Sequence, residues 1–442
     1  MRRSTESATV ELRPLPNEEG FVDRDNHEPD DNHVQVLPPV DRGLEAWRFL
    51  LASFFIEALL WGFPLSYGVF QDYYSRQPEF AEDNSIAVIG TLSTSIYFIG
   101  APFAMPLVKR FQRFQRYMVV IGWSGCALSL LAASFCTSVK GLIATQGVFY
   151  GISFLMLYFP LLRMLNEWFV ERRGFAYGVL YAGGGASGVG LPFLLDLLLS
   201  KYGYRTTLRA VAVAQFVLVA PVLRYVKGRL PPSSHAAFRS VDLQFFSNPL
   251  FYCFAVSNLF QGFAYYIPSL YLPSFASDLG LSTTMGALIL ALNNGATVFG
   301  QVGFGLLSDR VSNVLILACV SSLASAIASF TLWGLASSLE ATIVFSLVYG
   351  WFAGGYVVFW TKFGSLLSED PQLPFSLMAF GRGIGNIATG PLAASLTTGS
   401  VMSGYGLGKF QPLIIFLGSL MLCSSLGILG YPLKRQPGRL EL

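Results

Sequence analysis

Apolar residues in this chain are gathered into long runs, and polar residues fall between these runs or at the two ends. A helix that crosses a lipid bilayer needs about 20 mostly apolar residues, and a backbone in lipid must satisfy its own hydrogen bonds. Twelve runs are long enough. We therefore predict an all-α membrane protein with helices over residues 47–70, 86–108, 117–137, 141–163, 174–199, 207–226, 250–272, 283–307, 313–334, 341–361, 375–397 and 410–431.

A polar segment between predicted helices 6 and 7 divides the helices into six and six. It contains Pro231-Pro232, which is typical of a connector, and many transporters are built from two related halves. The first 45 residues hold eleven acidic residues and no apolar run, which predicts a disordered tail. The chain is thus predicted to contain a tail, a first six-helix bundle, a link, a second pseudo-symmetric bundle and a C-tail over residues 1–45, 46–226, 227–249, 250–432 and 433–442.

Lysine and arginine are unevenly divided between the two sides of the predicted membrane. The loops and C-tail on the side of the link carry fifteen, whereas the loops on the other side carry six. Positively charged loops are retained in the cytosol. Both termini and the link are therefore expected to be cytoplasmic. The plasma membrane is the expected location, with the vacuolar membrane as the alternative.

Composition excludes several classes of function. The mean hydropathy is +0.52 and 12% of the residues are charged, whereas a soluble domain carries roughly 25% charged residues. A net charge of +3 without a basic helix gives no reason to expect a nucleic-acid partner. The five cysteines are not spaced as metal ligands, and no His cluster or Walker A sequence occurs. We expect no cofactor, no metal and no enzymatic activity. The expected protein is a monomer whose partners are the bilayer and a small molecule.

An internal repeat links the two predicted halves. The chain reads Met105-Pro-Leu-Val-Lys109-Arg110 after helix 2 and Gly305-Leu-Leu-Ser-Asp309-Arg310 after helix 8. The second copy resembles the Gly-x-Leu-x-Asp-Arg loop of the major facilitator superfamily, and the first copy is degenerate. The resemblance implies that family's fold and a cytoplasmic charge network that latches the outward-open state; a positive-inside anchor is the alternative. The candidate gating residues are Arg110, Arg163, Glu167, Arg172, Arg173, Asp309 and Arg310.

Further motifs resemble the monocarboxylate transporters, above all their fungal branch. They are Asp41-x-Gly43-x-x-Ala46-Trp47, Gly62-Phe-Pro64-x-Ser66-x-Gly68, and Trp168-Phe169-x-x-Arg172-Arg173. The resemblance implies that the substrate is an organic acid or a secondary metabolite. Animal lactate carriers use a lysine, an aspartate and an arginine at positions that match Leu65, Thr297 and Gln301 here. Their lactate–proton mechanism is therefore not carried over.

Glycines crowd predicted helices 5 and 11. Gly183-x-Gly185-x-x-Gly188 matches the dinucleotide-binding fingerprint, but no strand precedes it, so the match carries no function. Small residues four positions apart let helices approach closely. We predict packing contacts at Gly184/Gly188 and Gly381/Gly385.

Two charged residues lie in the middle of predicted helices, where a charge costs about 2.5–3.5 kcal/mol and is a candidate for function. Glu57 shares a helix face with Trp61, so we expect it to face a cavity and take up a proton. A neutral glutamate bonded to a neighbouring helix is the alternative. Arg382 offers a fork of donors that suits a carboxylate, and a pair with Glu57 or backbone carbonyls is the alternative. The predicted cavity residues are Glu57, Trp61, Leu65, Gln261, Tyr265, Asn293, Asn294, Thr297, Gln301 and Arg382.

These patterns predict a secondary active transporter of the monocarboxylate-porter type that works by alternating access. The expected cargo is a small organic acid or a carboxylate-bearing metabolite, with efflux of a fungal secondary metabolite and proton coupling as expectations. The competing prediction is a non-transporting nutrient sensor on the same scaffold. Such sensors usually carry long cytoplasmic extensions, and the short tails here favour the transporter.

Overall fold

The computed structural model describes residues 37–80, 85–231, 243–368, 370–397 and 405–430, which are almost entirely helical and include no strand. In chain order, α1 to α4 cover Leu44–Ser75, Ile86–Arg110, Gln112–Ala133 and Val139–Trp168. Helices α5 and α6 cover residues 173–202 and 204–219. Helix α7 is formed by Pro249–Tyr265 and Ile267–Asp278. Helices α8 to α12 cover Thr283–Arg310, Val314–Trp333, Leu339–Leu367, Gln372–Leu396 and Gln411–Gly430. The twelve predicted helices are confirmed.

Nine continuous helices in the described part of the chain are long and apolar enough to cross a membrane. One of them, Arg173–Val219, contains both α5 and α6. Two helices, α7 and α11, are outside this set, each for a different reason. Helix α7 is interrupted at Tyr266 into segments of 17 and 12 residues. Helix α11 has 25 residues, but Arg382, Asn386 and its glycines dilute its apolar character.

The junction between α5 and α6 differs from the sequence prediction, which placed a loop at residues 200–206. The helical chain continues through these residues with one bend at Gly203, where φ is 72° and ψ is 170°. Glycine adopts such a positive φ without the steric cost that a Cβ would bring. The bend turns the chain back without an extended loop. Helix α6 then ends at Val219 rather than at the predicted residue 226.

The predicted link is fixed to the end of α4 at the point where it leaves the first bundle. A Glu167 carboxylate oxygen accepts the backbone N–H of Arg229 at 3.0 Å and of Leu230 at 3.2 Å. The Trp168 indole donates to the carbonyl of Lys227 at 2.8 Å. The predicted tail up to residue 36, the middle of the predicted link at 232–242 and the predicted C-tail at 433–442, together with residues 431 and 432, lie outside the described residues.

Helices α5 and α8 form the most extensive contact between the first six helices and the last six, and α2 with α11 forms the second. A Cβ on Gly178 would lie 2.5 Å from the carbonyl oxygen of Gln301, so the α5–α8 approach requires glycine. On α11, a Cβ on Gly385 would lie 2.5 Å from the carbonyl carbon of Gly262. The predicted packing role of this glycine is confirmed.

The two ends of the molecule are packed differently. We call the end that contains the α2–α3 and α8–α9 turns the Asp309 end, and the end where α1 and α7 finish the Asp72 end. One buried apolar cluster includes residues of both halves, among them Met105 and Phe375 near the Asp309 end. A second cluster, with Phe275 and Trp333, belongs to the α7–α12 half alone. The halves therefore share a core only toward the Asp309 end.

Candidate functional site

A cavity of about 670 Å³ lies between the two halves. Glu57 of α1 and Arg382 of α11 line its deep part, and Asp72 and Ser75 line its outer part. Because Asp72 and Ser75 are exposed, the cavity is open toward the Asp72 end. Its volume is in the range of small-molecule binding sites.

Eight of the ten predicted cavity residues lie on the wall of this cavity. Gln261 lies behind the wall, where its side-chain oxygen accepts a hydrogen bond from Arg382 Nη1 at 2.6 Å. Asn293 does not line the cavity, because successive residues on a helix point about 100° apart and its backbone packs closely against Gly350 of α10. The eight that line the wall are Glu57, Trp61, Leu65, Tyr265, Asn294, Thr297, Gln301 and Arg382.

Glu57 is the acidic group of the α1–α6 wall. Its side chain is 2% exposed, and its Oε2 has no hydrogen-bond partner among the described residues. The turn Glu57–Trp61 is π-helical, a local form that is frequent at functional sites. Helix α5 packs closely behind this turn, where a Cβ on Gly183 would lie 2.5 Å from the Phe54 carbonyl oxygen and 3.1 Å from the Glu57 Cβ. Glu57 thus lines the cavity, with its Oε2 buried and unpaired among the described residues.

Aromatic side chains surround Glu57 on the same wall. The ring of Trp61 lies 4.9 Å from that of Tyr97 and 5.8 Å from that of Phe98, measured between centroids. Tyr97, Phe98 and Tyr181 all line the cavity, and sequence reasoning named none of them. Aromatic residues are common throughout membrane helices, so no pattern in the sequence distinguishes these three.

Arg382 is the basic group of the α7–α12 wall and is 3% exposed. Its guanidinium lies 4.0 Å from the ring centroid of Tyr265, 5.3 Å from that of Tyr266 and 5.8 Å from that of Trp360. No described acidic residue forms an ion pair with it, so the predicted alternative of a pair with Glu57 is not what the structure contains. Its Nη1 donates to the Gln261 side-chain oxygen at 2.6 Å, and its positive charge has no described carboxylate beside it.

The Asp309 end is closed by contacts between the halves. The Asp309 carboxylate accepts the backbone N–H of Gly174 at 2.9 Å and of Phe175 at 2.7 Å, at the start of α5. Lys362 lies 2.8 Å from the same carboxylate. On the other side of the interface, Lys109 pairs with Asp370 at 2.7 Å. The lysine that makes the first motif copy degenerate therefore forms an ion pair across the interface.

The remaining predicted gating residues have varied surroundings. Arg173 donates to the Ser365 hydroxyl across the interface at 3.2 Å. Arg163 lies 3.9 Å from Glu167, at the limit of an ion pair. Three others are exposed and pair with no described acid, namely Arg110, Arg172 and Arg310. Sequence reasoning missed Lys362 and Asp370 as partners, although a lysine at the aspartate position of the motif was a signal that an acid should face it.

Asp41 joins two of the monocarboxylate-transporter-like motifs. Its carboxylate accepts the backbone N–H groups of Val170, Glu171 and Arg172 at 3.1, 2.9 and 2.9 Å. It is held at φ 58°, a conformation that non-glycine residues rarely adopt. The α4–α5 turn is thus fixed from its own half by Asp41 and from the other half by Asp309.

The sequence profile of the Major Facilitator Superfamily matches residues 49–396. The chain is 26% identical to MFS transporter asaE of Aspergillus flavus, over 95% of each chain. It is also 26% identical to the Aspyridones efflux protein apdF of Emericella nidulans, over 90% of this chain and 79% of that protein. The Fujikurins efflux protein of Gibberella fujikuroi is again 26% identical, over 89% of this chain and 83% of that protein.

The crystal structure of the nucleoside transporter NupG has a similar fold, with a TM-score of 0.58 at 13% identity over 88% of this chain and 99% of that one. This likeness agrees with the all-helical fold described above. Together with the profile match, which reaches from α1 to α11, it identifies the chain as a multi-pass membrane protein. The chain belongs to the Major Facilitator Superfamily and is of the transporter class rather than an enzyme.

Proposed function

We propose that this protein is a transporter of the monocarboxylate-porter type that exports a carboxylate-bearing metabolite with an aromatic or otherwise flat body. The observation that carries the proposal is Arg382. A guanidinium in a largely apolar setting is costly unless its charge is compensated, and no described acid compensates it. An anionic ligand would compensate this charge, and a carboxylate matches the geometry of the guanidinium fork.

The aromatic groups of the cavity support a flat ligand. Tyr265 and Trp360 stand beside Arg382, while Trp61 and Tyr97 stand on the opposite wall. Aromatic side chains stack on rings and conjugated systems in offset or edge-to-face arrangements. Two similar proteins are named as efflux proteins, for Aspyridones and for Fujikurins. These names favour export over uptake.

Glu57 is proposed to couple transport to the movement of a proton. It lines the cavity, and its Oε2 is buried without a described hydrogen-bond partner. A buried carboxylate is far less costly when protonated than when ionised without a partner. An anion at Arg382 would move outward in one half of the cycle and a proton at Glu57 would move inward in the other, so that the two are exchanged. The proton gradient would then drive the cycle.

The Asp309 end is proposed to be the cytoplasmic end, because the loops on that side carry the excess of lysine and arginine. The conformation described here would then be open to the outside. The cycle requires the contacts of Asp309 with the start of α5 to break and the halves to rock around the cavity. The plasma membrane is the proposed location.

The proposal is tested by ligand binding to the purified protein, read from the fluorescence of the cavity tryptophans Trp61 and Trp360. The probes are aromatic carboxylates, from benzoate through hippurate to fused-ring acids, each paired with its uncharged primary amide. At least one acid is expected to bind about 100-fold more tightly than its amide, because two hydrogen bonds to a charged group are lost with the carboxylate. Proteoliposomes should then exchange that acid.

A matched control is available in Arg209, which also lies over an aromatic ring, that of Phe135 at 4.7 Å, but does not line the cavity. Arg382→Gln should remove the preference for the acid, and Arg209→Gln should retain it. Equal binding of every acid and its amide to the unaltered protein would contradict the proposal. So would a preference that survives Arg382→Gln.

A further inference from the structure

Helix α1 contains a proline that leaves a carbonyl without its helical donor. In an α-helix the N–H of residue 64 would bond the carbonyl of Leu60, but Pro64 has no N–H. The hydroxyl of Tyr150, on α4, donates to this carbonyl at 2.6 Å. The neighbouring carbonyl, that of Leu59, accepts from Gln215 of α6 at 2.9 Å. Gln215 also donates to the Tyr150 hydroxyl at 3.2 Å.

Helix α7 contains the same arrangement in the second half. Pro268 deprives the carbonyl of Ala264, again four residues earlier, of its donor. The hydroxyl of Tyr349, on α10, lies 3.5 Å from this carbonyl oxygen and 3.4 Å from that of Tyr265. The carbonyl of Phe263 accepts from Thr389 at 3.0 Å.

The two arrangements correspond in sequence as well as in space. Tyr150 precedes a glycine in the fourth helix of the first half, and Tyr349 precedes a glycine in the fourth helix of the second half. Both tyrosines are buried, at 0% and 1% exposure. A backbone carbonyl without a donor is costly where water is excluded. At the Ala264 carbonyl the backbone N–H of Tyr266 is a further donor, and at both sites the donor from the fourth helix is a tyrosine.

Each arrangement lies beside the part of the helix that lines the cavity. Glu57 and Trp61 precede Pro64 within two turns, and Leu65 follows it directly. Tyr265 precedes Pro268, and Ser269 follows it directly. The carbonyls that the tyrosines hold thus belong to the turns that present side chains to the ligand.

We propose that Tyr150 and Tyr349 are positioning residues that hold the interrupted turns of α1 and α7, and through them set which side chains face the cavity. Neither tyrosine lines the cavity. We call Pro64 with Tyr150 the α1 joint. Its hydrogen bond from the Tyr150 hydroxyl to Leu60 is shorter than the bonds from the Tyr349 hydroxyl, so the α1 joint is the firmer of the two. The α7 joint, Pro268 with Tyr349, is the looser. The proposal rests on the proposed function only in taking this cavity as the transport site.

The test uses a cysteine at the residue after each proline, Leu65→Cys or Ser269→Cys, in the full-length protein. The rate of modification by a charged methanethiosulfonate reagent is measured at that peptide by mass spectrometry, since none of the native cysteines lines the cavity. Tyr150→Phe should raise the rate at Leu65→Cys about fivefold, the effect of losing one net hydrogen bond, and leave Ser269→Cys unchanged. Tyr349→Phe should do the reverse, by about twofold, because its bonds are longer.

The matched control is Tyr356→Phe, which removes a buried hydroxyl that bonds the Ser257 hydroxyl at 2.8 Å without touching either joint. It should change neither rate. The decisive variant is Pro64→Ala, which returns a backbone donor to the Leu60 carbonyl. In that background Tyr150→Phe should have no further effect, and if Tyr150→Phe alone does not fold, Pro64→Ala should restore folding.

The proposal is overturned if Tyr150→Phe alters both reporter positions equally, or neither, or if its effect persists in the Pro64→Ala background. These rates require no transported substrate. The positioning role can therefore fail while the proposed function holds, and the reverse.

Discussion

The two halves of the cavity wall carry side chains of opposite charge, and these side chains differ in their hydrogen bonding. The α1–α6 half offers Glu57, whose Oε2 has no described partner, on a π-helical turn packed against glycines. The α7–α12 half offers Arg382, held by Gln261 and surrounded by aromatic rings. The two groups share a cavity without forming an ion pair with each other. Under the proposed function, the carboxyl group would take up a proton and the guanidinium would bind an anion.

The two halves also differ at the Asp309 end, where each carries one copy of the repeated motif. The intact copy of the repeated motif places Asp309 on backbone N–H groups of the other half. The degenerate copy places Lys109 on Asp370 instead. A scaffold of two related halves has thus kept its symmetry in the helices and lost it in the charged residues. We infer that the halves divide the work, with the α7–α12 half binding the anion and fastening the interface.

The largest expected effect is the loss of carboxylate affinity when Arg382 is replaced. Arg382→Lys keeps the charge but loses the planar fork, so affinity for the best aromatic carboxylate should fall about tenfold, against about 100-fold for Arg382→Gln. The measurement is the binding titration with cavity tryptophan fluorescence. Identical losses for the two variants would show that fork geometry is unimportant, and no loss in either would remove the anion site.

Replacing Glu57 should abolish accumulation of the carboxylate without abolishing its exchange. Glu57→Gln should leave exchange of the carboxylate in proteoliposomes at equal pH intact, but abolish its accumulation by a pH gradient. One proton per cycle across one pH unit supports an accumulation of about tenfold, and the variant should reach none. Asp196→Asn, at an exposed acid on α5, is the control. Accumulation that survives Glu57→Gln would move the coupling elsewhere.

The interface can be tested without a substrate by a reporter at Tyr177, which is 1% exposed and lies 5.7 Å from the Phe375 ring across the interface. Asp309→Asn should speed modification of Tyr177→Cys about tenfold, because hydrogen bonds to a charged group are weakened. Asp41→Asn is the control, since Asp41 fixes the same turn from its own half. An equal increase in both variants would mean general loosening and not release of the other half.

Sequence reasoning identified the fold because each crossing of a bilayer imposes a minimum apolar length. It found Glu57 and Arg382 for a related reason, since a charge is expensive in lipid and stands out in an apolar run. It predicted a loop at residues 200–206, because Lys201 and Arg205 make this segment polar, and missed that the helical chain continues through it with one bend at Gly203. It missed Asp370, because the partner of Lys109 comes from a distant loop that only the folded chain brings near.

The positioning of the cavity helices was also beyond the sequence. Pro64 and Pro268 are visible as prolines in apolar runs, but a proline does not reveal which neighbour satisfies the carbonyl it leaves. The donors, Tyr150 and Tyr349, lie more than 80 residues away in the chain. Their repeated Tyr-Gly context is recognisable only once the two helices are known to occupy equivalent places.

The smallest expected effect concerns the ion pair of the degenerate motif copy. Lys109 and Asp370 have side chains 22% and 37% exposed, and a partly exposed ion pair contributes about 0–1 kcal/mol. A double-mutant cycle with Lys109→Ala and Asp370→Ala, read from the modification rate of Tyr177→Cys, should therefore give a coupling of at most about fivefold. The coupling should also shrink in high salt, because exposed charges are screened. A coupling as large as the effect of Asp309→Asn would break the comparison, since the degenerate copy would then fasten the interface as strongly as the intact one.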